Sequence, residues 1–372
     1  MKASVLIPFI FFVWAGTAFA GHLPGPTEPP TSHFRGTCDN DPDGRKFAGK
    51  VCFTTYDPGH VGFGARYKPP VCDKSTPVTE QQRDILAKTY VRAPDYMKAK
   101  LCGLTWMYVV GSSTDAKSLK NPKDDWESFG FWEGSDRPPG TGVYLGISAR
   151  DLASEQSFAD TENQTVAALL GFVDRRQKDR DPLPGLRSDS DPDPELTLLA
   201  KFAHELGHAI LADTNADGTD ARHPRRRVSG PPRSKCFEEA ILAASWEAKI
   251  FHQHMQRWVR FGDQNRNRPK NPAPSFDRVR AAVRSGNIRV ARDAIENIYR
   301  SREFVNVLAA ERPEEDLVQT YVYKVLADAA QNQKLVFPLR GGDINVLDLL
   351  GSGVPAKKVE CLGELGFLTA RP

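Results

Sequence analysis

Five consecutive residues, His204-Glu205-Leu206-Gly207-His208, constrain this chain more than any other feature. They fit the pattern HExxH, and on an α-helix the two histidines lie on one face, about one turn apart. Two imidazoles so placed can bind one zinc ion, and the glutamate after the first histidine lies where it can accept a proton from zinc-activated water. The pattern therefore predicts zinc ligands at His204 and His208 and a general base at Glu205.

The residues around this motif fit an amphipathic helix from about Glu195 to Ala212, with Asp193 as its N-cap. The apolar residues recur at helical spacing: Leu196, Leu198, Leu199, Phe202, Ala203, Leu206, Ile210 and Leu211. Gly207 lowers helix stability, but it suits a position where another segment of the chain crosses closely. A core helix with two hydrogen-bonded histidines is the alternative, and the agreement between the motif and its helical context favours the metal site.

The start of the chain has the features of a secretory signal peptide over residues 1–20. Lys2 is the positive n-region, Val5 to Trp14 is the apolar h-region, and Ala18-Phe19-Ala20 is the cleavage site. We therefore expect a secreted or periplasmic protein whose mature chain begins after Ala20. No later segment is apolar enough to span a membrane. With 50 basic and 47 acidic residues, the charge gives no reason to expect nucleic-acid binding.

The chain contains six cysteines, and an even number in an exported protein predicts disulfide bonds. Proximity in the sequence favours the pairs Cys38–Cys52, Cys72–Cys102 and Cys236–Cys361. Because the sequence contains no CxxC, the cysteines do not indicate a structural zinc ribbon.

Composition and periodicity divide the chain into successive parts. Residues 1–20 are the signal peptide, 21–36 an irregular arm, 37–175 a strand-rich region, 176–335 a helical region that carries the HExxH motif, and 336–372 a C-terminal tail. A strand-rich half followed by an α-rich half indicates an α+β fold.

Local patterns predict the positions of individual strands and helices. The candidate strands are Lys50–Thr55, Leu104–Gly111, Gly142–Ser148 and Val166–Val173, with a short helix near Thr79–Tyr90. Helices after the motif are predicted at about Cys236–Phe261, Phe276–Ser285, Asn287–Ser301 and Glu314–Gln331.

A catalytic zinc ion needs a third protein ligand besides the two histidines. The metzincin extension of HExxH has a glycine where this chain has Leu211 and a histidine where it has Thr214, so that class is excluded. Glu239, with its neighbour Glu238, lies near the start of the next predicted helix and is one candidate for the third ligand.

A second candidate lies downstream, where Pro313-Glu314-Glu315-Asp316-Leu317-Val318-Gln319-Thr320-Tyr321 opens a helix. This segment resembles the PEEDFAETF-type segment of gluzincin-like metallopeptidases, a group that includes the lethal-factor-like enzymes. The resemblance implies that Glu315 completes the zinc site. Where the family segment has an acidic residue four positions later, this chain has Gln319. The resemblance covers HExxH and roughly fifteen residues of this helix, and does not cover the N-terminal half.

The residues after the motif, Asp213-Thr214-Asn215-Ala216-Asp217-Gly218, match the opening of a calcium-binding loop. Pro224 stands where an EF-hand loop has its bidentate glutamate, so the loop is incomplete as an EF-hand. The alternatives are a Ca2+ site of another type and a polar turn after the helix.

The motif and the resemblance together predict an exported zinc metallopeptidase with a zincin-like α+β fold. Zn2+ would be held by His204, His208 and Glu315, Glu205 would be the general base, and the substrate would be a protein or peptide. By resemblance to zincin architecture, the strand Gly142–Ser148 would bind the substrate as an added β-strand. The alternatives are a non-enzymatic exported binding protein with a degenerate zincin fold and a hydrolase of a non-peptide bond. The sequence indicates no oligomeric state.

Overall fold

The computed structural model describes residues 38, 41–54, 78–104, 106–110, 129–131, 144–152, 157–170, 183–188, 193–216, 234–246, 249–252, 257–260, 275–330 and 333–370. Helices make up most of this part of the chain, and the strands form small sheets. The predicted signal peptide, 1–20, and the predicted arm, 21–36, lie outside the described residues.

The helices of the described residues are α1 Arg45–Ala48, α2 Glu80–Arg92, α3 Asp95–Gly103, α4 Phe158–Leu170, α5 Pro194–Ala216, α6 Phe276–Arg284, α7 Ile288–Ser301, α8 Pro313–Ala329 and α9 Gly353–Glu364. A π-helix spans Phe237–Trp246, and 3-10 helices span Ala149–Leu152, Leu308–Ala310 and Val346–Gly351. The helices predicted near Thr79–Tyr90 and at Phe276–Ser285, Asn287–Ser301 and Glu314–Gln331 are confirmed as α2, α6, α7 and α8. None of the described helices has both the length and the apolar character needed to cross a bilayer.

The strands are β1 Val51–Thr54, β2 Trp106–Val110, β3 Phe129–Phe131, β4 Tyr144–Ser148, β5 Arg187–Ser188, β6 Lys249–His252, β7 Arg257–Arg260, β8 Leu335–Phe337 and β9 Ile344–Asn345. A four-stranded sheet has the order β1-β2-β4-β3, in which the first three strands are parallel and β3 is an antiparallel edge. The register pairs Val51 with Met107 and Met107 with Leu145. The strands predicted within Lys50–Thr55, Leu104–Gly111 and Gly142–Ser148 are confirmed as β1, β2 and β4.

The predicted strand Val166–Val173 is wrong, because its residues up to Leu170 belong to α4. Ser157 caps this helix, since its hydroxyl oxygen accepts a hydrogen bond from the backbone N–H of Asp160 at 3.1 Å. A short apolar run is compatible with a buried strand and with a buried helix, so periodicity alone did not distinguish the two.

The predicted helix Cys236–Phe261 is wrong in its second half. The π-helix ends at Trp246, and the following strands β6 and β7 form an antiparallel pair. The register places Phe251 opposite Trp258 and Ile250 opposite Val259. Aromatic and β-branched residues suit such cross-strand pairs, and this pairing overrides the helical spacing of the apolar residues.

The disulfide bonds confirm one predicted pair and correct two others. Cys236–Cys361 is confirmed. Cys38 is bonded to Cys102, with their Cα atoms 5.1 Å apart, so the predicted pairs Cys38–Cys52 and Cys72–Cys102 are wrong. Nearness in sequence reduces only the entropy lost on closing a loop, whereas the packing of α3 decides which sulfur atoms meet. Disulfide bonds are compatible with a protein of an oxidising compartment.

Helix α5 carries the HExxH motif and packs against α2, α4, α8 and β3. The predicted N-cap is confirmed, because Oδ1 of Asp193 accepts a hydrogen bond from the backbone N–H of Leu196 at 2.9 Å. Arg92 on α2 donates to both carboxylate oxygens of Asp193 at 2.6 Å. The start of α5 is therefore held by a cap and by an ion pair to a neighbouring helix.

Helix α8 crosses α5 closely at Gly207. A Cβ atom at this position would lie 3.1 Å from Cγ1 of Val318 and 3.4 Å from Cδ1 of Tyr321. The first distance is shorter than ordinary contacts between carbon atoms, so a larger residue would push the helices apart. The expectation that another segment crosses at Gly207 is confirmed, and the crossing brings the first turn of α8 beside the histidines.

The C-terminal residues 333–370 fold onto this helical core. β8 pairs with β5 on one side and with β9 on the other. Helix α9 packs against α8 and the π-helix, to which the bond Cys236–Cys361 joins it. The predicted tail 336–372 thus contains packed secondary structure, of which α9 is the last element and ends at Glu364.

Candidate metal centre

Helix α5 presents His204 and His208 on the same face. Their ring centroids are 4.8 Å apart and the ring planes are inclined by 85°. The four-residue spacing produces this placement, since residues i and i+4 stack one turn apart along a helix. Both side chains remain partly exposed, so the pair is open to a ligand.

The first turn of α8 adds a carboxylate to this pair. One ligand atom from each of His204, His208 and Glu315 can be chosen so that all three lie within 4.8 Å of one another. Nε2 of His208 lies 3.4 Å from Oε1 of Glu315. Arg312 holds this carboxylate, because its Nη2 donates to Oε1 of Glu315 at 2.5 Å. The structure therefore brings together the two histidines and the glutamate that the resemblance pointed to.

The protonation states of this group suit metal binding at neutral pH. Burial lowers the pKa of His208 to about 4, against the opposing effect of the Glu315 carboxylate. Burial alone would raise the pKa of Glu315, but His208, His204 and Arg312 outweigh it and lower this pKa to about 2. His208 is thus neutral and Glu315 is ionised, which are the forms that donate electron pairs to a metal ion.

Gln319 contacts the outer side of the His204 ring, at the position where the family segment has an acidic residue. Its Nε2 lies 2.9 Å from Nδ1 of His204, and the side chain is buried. A side-chain amide offers an N–H donor or, after rotation, a carbonyl acceptor, so it can pair with either tautomer of the imidazole. When the amide oxygen faces Nδ1, the ring proton lies on Nδ1 and Nε2 of His204 is left for a metal ion.

The contact to His204 continues into a chain of polar side chains, of which Gln319 and Asn306 are buried and Glu162 is partly buried. Nδ2 of Asn306 donates to Oε1 of Gln319 at 2.8 Å and to Oε1 of Glu162 on α4 at 2.6 Å. Oδ1 of Asn306 accepts the backbone N–H of Ala309 at 2.8 Å, which fixes the orientation of this amide. Burial raises the pKa of Glu162 to about 7, although the hydrogen bond from Asn306 opposes the shift.

Glu162 should make the stability of the protein depend on pH. Between pH 4.5 and about 7 the folded protein holds a proton on Glu162 that the unfolded chain has released, so the free energy of unfolding falls as pH rises. Glu162→Gln keeps an acceptor for Asn306 and removes the titration. We expect wild type to lose about 1–3 kcal/mol more than the variant between pH 4.5 and pH 8. Denaturant unfolding at both pH values measures this difference, and equal losses would contradict it.

The rival ligand Glu239 lies apart from this group. Its side chain is 67% exposed on the π-helix and pairs with Lys235 across 3.7 Å. Glu205 follows His204 on α5 and is partly exposed beside the group. Asp217 and Gly218 of the predicted calcium loop lie outside the described residues, and α5 continues through Ala216.

The side chains present fit a divalent metal ion. Two imidazole nitrogens and one carboxylate oxygen form a common donor set for a metal that keeps a further position open. Oε2 of Glu315 is buried and has no hydrogen-bond partner in the described part of the chain. A buried carboxylate oxygen without a partner is costly, and a bound cation would satisfy it.

Comparison with protein-family models, with curated proteins and with solved structures gives no match.

The residues that orient the metal ligands were not predicted from the sequence. Arg312 contacts Glu315, and Asn306 and Glu162 extend the contact from Gln319. Of these residues, only Arg312 is indicated by its position in the sequence, because it lies one turn before Glu315. The contacts of Asn306 and Glu162 join segments far apart in the sequence, so no pattern in a single chain indicates them.

Proposed function

We propose that this protein is an exported zinc metallopeptidase with a zincin-like fold, which hydrolyses peptide bonds in proteins or peptides. The observation that carries the proposal is the approach of Glu315 to the two histidines of HExxH, with one carboxylate oxygen buried and unpaired among the described residues. The general base of the motif, Glu205, lies on the same helix. The disulfide bonds support export to an oxidising compartment.

The side chains of this site have distinct roles in the proposed reaction. His204, His208 and Glu315 would hold the zinc ion, and Arg312 and Gln319 would orient them through their contacts to Glu315 and His204. Zinc supplies Lewis acidity that activates water and polarises the scissile carbonyl group. Glu205 accepts the proton of the attacking water and passes it to the leaving amine.

Strand β3 is the better candidate for binding an extended substrate. The predicted strand Gly142–Ser148 corresponds to β4, which pairs with β2 on one side and with β3 on the other, so neither of its edges is free. Strand β3 pairs only with β4 among the described residues and packs against α5. A peptide that added to its outer edge would run along the helix that carries the histidines.

Metal content and proteolysis test the proposal together. Mature protein refolded with zinc is expected to hold one zinc ion per chain and to cleave a generic protein substrate. A chelator should abolish cleavage and added zinc should restore it. His204→Ala and His208→Ala should not retain zinc. Failure of the wild-type protein to bind zinc would refute the proposal, and zinc binding without peptide cleavage would leave a binding protein or a hydrolase of another bond.

Gln319→Leu is expected to weaken zinc binding by about 10- to 100-fold, because His204 loses the contact that orients its ring. Gln319→Glu is the matched control: its carboxylate provides an acceptor for an Nδ1–H of His204, and the variant should bind zinc at least as tightly as wild type. Competition with a chelator measures both affinities. Equal zinc affinity of the leucine variant and wild type would show that Gln319 does not support the site.

A further inference from the structure

Beside the candidate metal centre lies a buried pair of opposite charges, Asp316 on α8 and Lys358 on α9. Both side chains are fully buried, and Nζ of Lys358 donates to Oδ1 and Oδ2 of Asp316 at 2.8 and 2.7 Å. Two charges without water are stable only when each has partners with good geometry. Loss of one partner would leave the other charge buried and unpaired.

Further contacts satisfy the pair from several segments. Nζ of Lys358 also donates to the backbone carbonyl of Glu303 at 2.6 Å and lies 4.8 Å from the ring centroid of Phe304. Nε1 of Trp246, at the end of the π-helix, donates to Oδ2 of Asp316 at 2.9 Å. The pair therefore joins α8, α9, the π-helix and the segment before the 3-10 helix Leu308–Ala310.

Asp316 follows Glu315 in the first turn of α8, so the two side chains point about 100° apart around the helix. No side-chain hydrogen bond caps the start of this helix at Arg312. Instead, the buried ion pair between Asp316 and Lys358 restricts rotation of the first turn of α8. With Asp316 turned toward Lys358, Glu315 is turned toward His208 at 3.4 Å.

The bond Cys236–Cys361 strengthens this arrangement. Cys361 lies three positions after Lys358 on α9, where two residues share a helix face. The bond connects that face to the start of the π-helix, whose last residue is Trp246. The two donors to Asp316 are thus carried by elements that are covalently joined.

We propose that Lys358 is a positioning residue of the metal centre, which acts through Asp316 to direct Glu315 toward the metal ion. The inference rests on the proposed zinc site and adds the C-terminal helix α9 to it. The role of Lys358 is to set the orientation of the turn that carries the ligand.

Zinc affinity of full-length mature variants, measured by competition with a chelator, tests this role. Lys358→Met should weaken zinc binding at least about tenfold. The matched control is Leu362→Ala on the same helix, which removes a fully buried side chain but keeps both charges of the ion pair. At a temperature where both variants are folded, the control should stay within about twofold of wild type. Equal zinc affinity of the two variants would overturn the proposal.

The double variant Lys358→Met/Asp316→Asn covers the case in which Lys358→Met does not fold. It removes both charges and keeps an acceptor for Trp246, so no charge is left buried alone. We expect it to fold and still to bind zinc at least about tenfold more weakly than wild type. Wild-type affinity in the double variant would overturn the positioning role. Absence of zinc from the wild-type protein would instead refute the proposed function, so the two failures are distinct.

Discussion

Glu315→Ala is expected to weaken zinc binding by at least about a hundredfold, because the substitution removes one of the three zinc ligands. This effect is larger than the one expected when a residue that only orients a ligand is replaced. The carboxylate lies 3.4 Å from Nε2 of His208, and its second oxygen is buried without a partner in the described residues. The substitution also removes the partner of Arg312, whose side chain is 34% exposed. We therefore expect the fold to persist while the metal site is lost.

Glu239→Ala is the matched control for this experiment, since it removes a glutamate that the sequence also allowed as the third ligand. Its side chain is 67% exposed and pairs with Lys235, so the variant should bind zinc within about twofold of wild type. Chelator competition on both variants, with circular dichroism to check folding, measures the result. Loss of zinc from the Glu239 variant and its retention by the Glu315 variant would assign the ligand to the π-helix.

Glu205→Gln is expected to lower the rate of peptide hydrolysis by about 10²- to 10⁴-fold while zinc content and thermal stability stay near those of wild type. The amide has nearly the same size as the carboxylate but cannot accept the proton of the attacking water. Because Glu205 lies on α5 between the two histidines, the substitution leaves both imidazoles in place.

His208→Ala is the comparison for this second experiment, because it should lose zinc and activity together. Single-turnover cleavage of one peptide, with metal content measured on the same samples, separates the two effects. Near-normal hydrolysis by the zinc-loaded Glu205→Gln protein would show that another group accepts the proton.

The local elements of the candidate site were predictable from the sequence. The motif, its N-cap Asp193 and the apolar spacing predicted α5, and the small side chain of Gly207 predicted a close crossing. These features depend on neighbours within a few residues, which is why a pattern in one chain contains them. The helix α8 that carries Glu315 was predicted for the same reason.

The wrong predictions concern segments whose structure depends on packing or strand pairing and not on the local apolar pattern. Residues Val166 to Leu170 form a helix, and the chain after Trp246 forms paired strands, although the apolar pattern of each segment was compatible with the other structure. The bond Cys38–Cys102 depends on where α3 packs and not on the spacing of the cysteines. The helices that pack on α4 and the cysteine bonded to Cys38 are far away in the sequence, whereas β6 and β7 are consecutive strands that pair with each other.

By itself, the sequence determined that two histidines and a glutamate lie on one helix, because helical spacing requires no partner. Only the tertiary structure decided which further carboxylate approaches them, since Glu315 and Glu239 are both glutamates near the start of a helix. It also revealed that Gln319 contacts His204 and that Lys358 pairs with Asp316. Such contacts arise from the packing of α5, α8 and α9 against one another, and side chains meet there only after the chain has folded.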